Sequence, residues 1–351
     1  MPFSIDESKI TELNSILLRC HKAAIVVHTH PDGDALGSAL AMQHYLREVR
    51  GIAADAIIPD TMPRTMDFLL RGETLVNAEE DGAKAAGILE RCDLLIVMDM
   101  NGFHRADALE GALRACKAPD RVLIDHHIGP HTQEFTLVFS QTDISSASEL
   151  CYWVLKALEG GAAALPEKSR IALMTGMTTD TNNFANSVYA STLAMAGELV
   201  DAGVDRDSIL HHLYQEYSEN RVRAFARLLA RGGMKILPGG IACIVSTRAF
   251  QKRYPLRQGE TEGLVNIPLE ISDVNMSLFL KQEDDHFRVS IRSKKGWSAN
   301  EMATEFFHGG GHELAAGGKL FYPRDISEPS QVYSYLQESA ARFVQNKMKR
   351  T

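Results

Sequence analysis

AAIVV, residues 23–27, runs directly into HTHPDGDALGS, residues 28–38, and the reading of this junction decides the fold. An apolar run with no polar alternation reads as a strand buried on both faces, as in the middle of a parallel sheet. His28, Asp32 and Asp34 then emerge at that strand's carboxyl edge. Ala35 to Val49 has helical apolar spacing, which puts a helix N-terminus beside them. The pattern repeats where LLIVM, residues 94–98, runs into Asp99, and where VLI, residues 122–124, runs into Asp125, His126 and His127. Such junctions build an α/β domain around a doubly wound, mainly parallel sheet, which binds ligands where the carboxyl ends of its strands converge.

Asp32, Asp34, Asp99 and Asp180 would bring about four negative charges to that edge with no Lys or Arg inside the motifs. Carboxylates so crowded repel one another or take up protons. Two divalent cations would neutralise them, and one shared carboxylate would hold the pair at the ~3.5–4 Å separation of two-metal phosphoryl-transfer sites. Asp99, alone at its strand end, is the candidate bridge. A single Asp at such a place ordinarily caps a turn or helix; the ordered set is what points to metal. His30 lies off the ligand spacing and His44 lies on a helix, so loop or surface roles are expected for both.

At 351 residues with 45% hydrophobic content, the chain has enough apolar material for about two buried cores. Residues 1–190 form the expected α/β domain, with further helices at Ser148 to Leu158 and Lys168 to Met177, and Asp180 just beyond the second. Residues 191–233 read as a helical connector, with Asp205 starting one segment and Gly232-Gly233 ending the last. Residues 234–351 read as a smaller α+β domain. Its strands are expected at Ile241 to Thr247, Val274 to Gln282 and His286 to Arg292, and its helices at Glu260 to Ile271 and Ser298 to Phe307. Ser298 and Glu301 have capping-box spacing.

MPFSIDESK lacks a basic start before an apolar core, and no run reaches the roughly 18 apolar residues of a membrane span. A cytoplasmic location without membrane attachment is therefore expected. The five cysteines are scattered without metal-ligand spacing and read as reduced. A net charge of −8 argues against prolonged tracking along a nucleic acid, but short substrates remain accessible. Arg288, Arg292, Lys294 and Lys295 form a local basic group able to hold a few phosphates. Three successive glycines, Gly309, Gly310 and Gly311, should leave backbone N–H groups open to a phosphate, with His312 as an added donor.

HTHPDGDALGS, Asp99, Asp125-His126-His127 and DTNNF at 180–184 resemble, in order, the motifs of the DHH phosphoesterase superfamily. GGGH at 309–312, followed by Ala315-Ala316-Gly317, resembles the hallmark of its DHH-associated substrate-binding domain. The resemblance implies that His28 and Asp32 hold one metal, that Asp34, His126 and Asp180 hold a second, and that Asp99 serves both. Mn²⁺ suits this mixed carboxylate and imidazole set better than Mg²⁺, Co²⁺ or Fe²⁺. His127 would contact the substrate phosphate as a proton donor to the leaving group, with Asp125 orienting it. Arg105 resembles the family's phosphate-contacting arginine. Arg292 and the Gly309–His312 loop resemble its clamp on the nucleotide end, across a cleft from the metals.

The branch resembled most is that of nanoRNases, bifunctional enzymes that degrade very short RNA to mononucleotides and dephosphorylate 3′-phosphoadenosine 5′-phosphate. Cyclic- or linear-dinucleotide phosphodiesterases are the alternative reading. A manganese-dependent pyrophosphatase and a non-catalytic nucleotide-binding regulator stand further off. A homodimer is compatible with the sequence.

Overall fold

The computed structural model describes residues 5–257 and 259–350, which divide into two compact units, 1–216 and 217–351. In the first, α1 (Glu7–Arg19), β1 (Lys22–Val26), α2 (Gly33–Glu48), β2 (Ala53–Ile58), β3 (Leu75–Asn77), α3 (Gly82–Arg91), β4 (Leu94–Met98), α4 (Glu110–Ala115), β5 (Asp120–Asp125) and β6 (Leu137–Ser140) alternate as the strand-end motifs require. Four helices follow: α5 (Ala147–Glu159), α6 (Glu167–Asp180), α7 (Ala190–Asp201) and α8 (Arg206–Tyr214).

The sheet is wholly parallel, in the order β3-β2-β1-β4-β5-β6. Its order reverses between β1 and β4, the switch point where doubly wound sheets open a crevice. Val26 pairs with Val97 and Met98 with Ile124. His28, Asp99 and the Asp125–His127 group therefore leave three adjacent strands at one edge. Alternate residues of β1 enter cores on opposite faces, Ile25 and Val27 on one and Ala24 and Val26 on the other. That two-sided burial is why its sequence does not alternate.

The α2–α6 contact fixes the site's depth. An added Cβ on Gly37 would lie 2.5 Å from the Ala172 carbonyl oxygen and 2.9 Å from the Gly176 Cα. The obstructing atoms are backbone, so neither helix can yield by rotating a side chain. This approach brings Asp34, in the first turn of α2, under Asp180, the last residue of α6. Asp180 thus ends the helix instead of following it, because the chain continues helical until Asn182, Asn183 and Phe184 take positive φ.

The stretch expected to connect the domains is shared between them. Met195, Leu199, Ile209 and Leu213 of α7 and α8 enter the first unit's core. Phe225 and Leu228 of α9 (Glu219–Leu229) enter a core of the second. The second unit continues with β7 (Met234–Leu237), β8 (Ile241–Ser246), α10 (Arg248–Arg253), β9 (Met276–Gln282), β10 (His286–Ser293), α11 (Ala299–Phe306), β11 (Gly310–Gly311), β12 (Ala315–Phe321) and α12 (Val332–Arg350). Its mixed sheet runs β11-β12-β10-β9-β8-β7, with only β8–β9 parallel. The helix expected over Glu260 to Ile271 is a 3₁₀ segment, Leu264–Glu270. Gly259 and Gly263 hold positive φ and Pro268 lacks a backbone donor, so an α-helix cannot run through. His44, expected at the surface, is 2% exposed, because α2 is buried along nearly its whole length. All five cysteines are free and buried. Among the described residues, no helix is long and apolar enough to cross a membrane.

Helix propensity alone favours Gly37→Ala by about 1 kcal/mol. The α2–α6 contact predicts the opposite sign, a net loss of about 1–3 kcal/mol in urea unfolding. A stabilised variant would show that the helices do not approach so closely.

Candidate metal centre

Each motif residue is positioned by the element it terminates. His28 follows β1, and its Nδ1 lies 2.8 Å from the Thr29 carbonyl oxygen, so Nδ1–H donates there and Nε2 faces Asp99 Oδ2 at 3.3 Å. Asp32 caps α2, its Oδ1 accepting from the N–H groups of Asp34 and Ala35 at 3.0 and 3.1 Å, while the residue stays exposed. Asp34 is 2% exposed and reaches the first turn of α5, where Ala147 N–H donates to Oδ2 at 2.7 Å and Ser148 N–H to Oδ1 at 2.8 Å. A carboxylate at a helix N-terminus meets unpaired amides and the positive end of the dipole.

Asp99 lies between the others. Its φ of 56° holds the strand end in the left-handed region, a strained conformation for a residue other than glycine. Its Oδ2 faces His28, and its Oδ1 lies 3.4 Å from His126 Nε2 and 3.7 Å from His127 Nδ1. That Oδ1 is buried without a hydrogen-bond partner among the described residues. Its nearest compensation is the His126 ring at 3.4 Å, and a cation in that place would satisfy the oxygen directly. Ligand atoms of His28, Asp32 and Asp99 lie within 4.8 Å of one another, and so do those of Asp34, Asp99 and His126. Asp99 is common to both sets. Asp180 Oδ2 lies 3.7 Å from His126 Nε2. These donors suit two divalent cations that share one carboxylate.

The local charges compete. Burial opposes the His28 imidazolium, but Asp99 and Asp32 outweigh it and raise the pKa to about 9. Burial likewise opposes charge on His126, while Asp99, Asp180 and Asp34 lift it to about 10. Burial, then the charges of Asp99 and Asp180, push Asp34 well above the ordinary carboxylate range. Asp99 goes the other way: burial would raise it, but His126 and His28 hold it well below that range.

Beside this set, buried Asp125 takes the His127 N–H on Oδ2 at 3.1 Å and holds the ring, Nδ1 lying 2.7 Å from its Oδ1. The Arg105 guanidinium lies 2.8 Å from His127 Nε2. A guanidinium only donates, so His127 Nε2 accepts from Arg105 while Nδ1–H donates to Asp125. In this arrangement His127 also orients the Arg105 guanidinium. Two positioning residues escaped the sequence reading. Asp60 accepts from Thr29 Oγ1 and His30 N–H, both at 2.7 Å, and its signal was the apolar strand β2 ending at Pro59-Asp60. Glu149, wholly buried, accepts from Ser145 N–H at 3.1 Å and Thr192 Oγ1 at 2.7 Å. It thereby secures the turn whose amides hold Asp34, and its signal was the Ser146-x-x-Glu149 spacing.

In the second unit, Arg292 pairs in register with Ala315, and Ala315 O accepts from His312 N–H at 2.7 Å, so the arginine and the glycine-rich turn are neighbours. The glycines are not a loose loop. Gly310 and Gly311 pair with β12, Gly309 N–H donates to Ala303 O at 3.2 Å and Gly311 N–H to Asn300 Oδ1 at 2.9 Å. A Cβ on Gly309 would fall 1.9 Å from the Gly317 carbonyl oxygen. Close packing of β11 on β12 therefore requires the glycine, and most of the amides expected to be open are taken.

Residues 22–179 match the DHH family, N-terminal domain, and residues 244–337 match the DHHA1 domain. The chain is 27% identical to the bifunctional oligoribonuclease and PAP phosphatase NrnA of Bacillus subtilis, over 85% of this chain and 89% of that protein. It is 26% identical to the cyclic-di-AMP phosphodiesterase GdpP of Geobacillus thermodenitrificans over 88% of this chain, but over only 46% of that longer protein. The crystal structure of an exopolyphosphatase-related protein from Bacteroides fragilis superposes with a TM-score of 0.91 at 28% identity, covering 99% of this chain and 100% of that one.

The raised imidazole pKa values predict a pH signature for chelator-treated protein. Both histidines favour the folded state when protonated, so their contribution is full below the ordinary value of 6.5 and is lost as pH rises through about 9 and 10. Urea midpoints should fall across that window, and added Mn²⁺ should restore stability more at its alkaline end, since metal displaces those protons. A flat profile without metal would contradict this charge arrangement.

Proposed function

The chain belongs to the DHH family, with a DHH N-terminal domain followed by a DHHA1 domain, and on that premise we propose that it degrades very short RNA to mononucleotides with divalent metal, preferentially Mn²⁺. In this reading it also dephosphorylates 3′-phosphoadenosine 5′-phosphate. The observation that carries the reading is Asp99, a buried carboxylate common to two ligand sets, with one oxygen turned to each side. The B. subtilis relative supports the substrate class. The ligand set is intact, which speaks against a regulator that has lost catalysis.

His28 and Asp32 would hold one cation and Asp34, His126 and Asp180 the other, with Asp99 available to both. Bound there, the cations supply Lewis acidity and a nucleophile at neutral pH. Arg105, held by His127 and through it by Asp125, presents its guanidinium to a non-bridging phosphate oxygen. The first unit performs the chemistry. The second, through His312 and Arg292, with Gly309 to Gly311 fixing the turn beside them, binds the nucleotide end. The GdpP match favours a second reading, a dinucleotide phosphodiesterase.

The deciding experiment is Mn²⁺-dependent hydrolysis of a linear RNA dinucleotide, a five-residue RNA, a 24-residue RNA, 3′-phosphoadenosine 5′-phosphate, cyclic di-AMP and pyrophosphate. The two short RNAs should turn over fastest; a strong preference for cyclic di-AMP or pyrophosphate would overturn the substrate assignment. Asp99→Ala should lower kcat by at least about a thousandfold in a folded protein. His312→Ala should instead raise KM about tenfold, ~1.4 kcal/mol of binding, with metals retained. Kinetics unchanged on every nucleotide would remove His312 from substrate binding.

A further inference from the structure

Arg292 is not the only cation on its face of the second sheet. Along β10, Phe287, Val289 and Ile291 are buried, so Arg288, Ser290 and Arg292 share the opposite face. The register sets Lys281 of β9 and Lys319 of β12 directly opposite Arg288, one on each side. Directly opposed residues of antiparallel strands lie on one face with Cα atoms about 4.5–5.5 Å apart. Three cations therefore stand in a row across three strands, on a chain whose net charge is −8.

Like charges directly opposite destabilise a sheet unless something offsets them. The acidic groups nearby belong to the β9–β10 turn. Glu283 lies 3.2 Å from Lys281 and 3.6 Å from Arg248, and Asp284 pairs with Arg248 at 2.5 Å. Asp285 bonds His286 at 2.7 Å and feels the Lys319 charge. Arg288, in the middle of the row and exposed, makes no ion pair among the described residues. The compensation thus stops short of the centre.

We propose that Lys281, Arg288 and Lys319 form a phosphate-holding row that extends recognition to RNA longer than a dinucleotide. The row rests on the short-RNA reading and adds a length preference to it. Arg288 is four residues from Arg292 on the same face, ~14 Å at the ~3.4 Å rise of a strand. A dinucleotide held at Arg292 has its single internucleotide phosphate engaged there and offers the row no further one. A longer strand lying along β10 does, and each phosphate it places on the row relieves the repulsion among the three cations.

The test is the double variant Arg288→Ala, Lys319→Ala in the full chain with Mn²⁺, with kcat/KM measured on the dinucleotide and the five-residue RNA between about 50 and 200 mM salt. For the five-residue RNA, kcat/KM should fall about tenfold through KM. Its logarithmic salt slope should become shallower by about 1.4, two contacts at about 0.7 each for a single strand. The dinucleotide should change by less than about twofold. Equal losses on both RNAs, or an unchanged slope, would overturn the row. If the wild type hydrolyses neither RNA, the activity reading fails by itself. Fluorescence anisotropy of the labelled five-residue RNA on wild type and variant then decides the row: weaker, less salt-dependent binding by the variant supports it, and equal binding or none overturns it.

Discussion

The burial of Asp34 is the constraint on which the first unit depends. A carboxylate sealed from water beside Asp99 and Asp180 is repelled by both and disfavoured by its surroundings. What holds it is a set of oriented dipoles, the Ala147 and Ser148 amides at the start of α5, with the imidazole of His126 beyond them. Those amides are available because Ser146 and Glu149 secure the turn, and Glu149 is itself tied to α7 through Thr192. The helices after the sheet are therefore part of the centre's support.

The same logic accounts for the strain at the strand ends. Asp99 adopts a positive φ and leaves one carboxylate oxygen without a hydrogen bond, two local penalties in one residue. They coincide where negative charge is concentrated, and a cation there would satisfy the oxygen. Asp180 stands at the C-terminal end of a helix, where the dipole disfavours an acid. Asp32 does the reverse and gains as a cap what it would lend as a ligand. His127, between Asp125 and Arg105, turns a strand-end imidazole into an orienting element for a guanidinium.

In the second unit the restriction is steric. The glycines near its hallmark motif admit β11 against β12 at a distance no side chain allows, which fixes the path of the chain into His312 and keeps Ala315 opposite Arg292. Along β10 the face opposite the buried Phe287, Val289 and Ile291 carries Arg288 and Arg292 with Ser290 between them. The placing of Arg292 beside the His312 turn thus derives from strand register.

Much of this was legible in the sequence, because buried parallel strands need unbroken apolar runs and the residues that terminate them must share one edge. Those two facts placed His28, Asp99 and the Asp125–His127 group, and helical periodicity gave α2, α5 and most of α6. Partner choice among side chains was not legible. That Asp125 binds His127, that Arg105 donates to the same ring, and that Asp60 and Glu149 anchor neighbouring loops depend on contacts between segments far apart in the chain. The same holds for Gly37, unremarkable inside a helical run until α6 lies against it. Local periodicity determines which elements form and where they end. Only the packed structure decides which ends meet, because distances of a few ångströms across the fold are set by register, glycine contacts and buried hydrogen bonds.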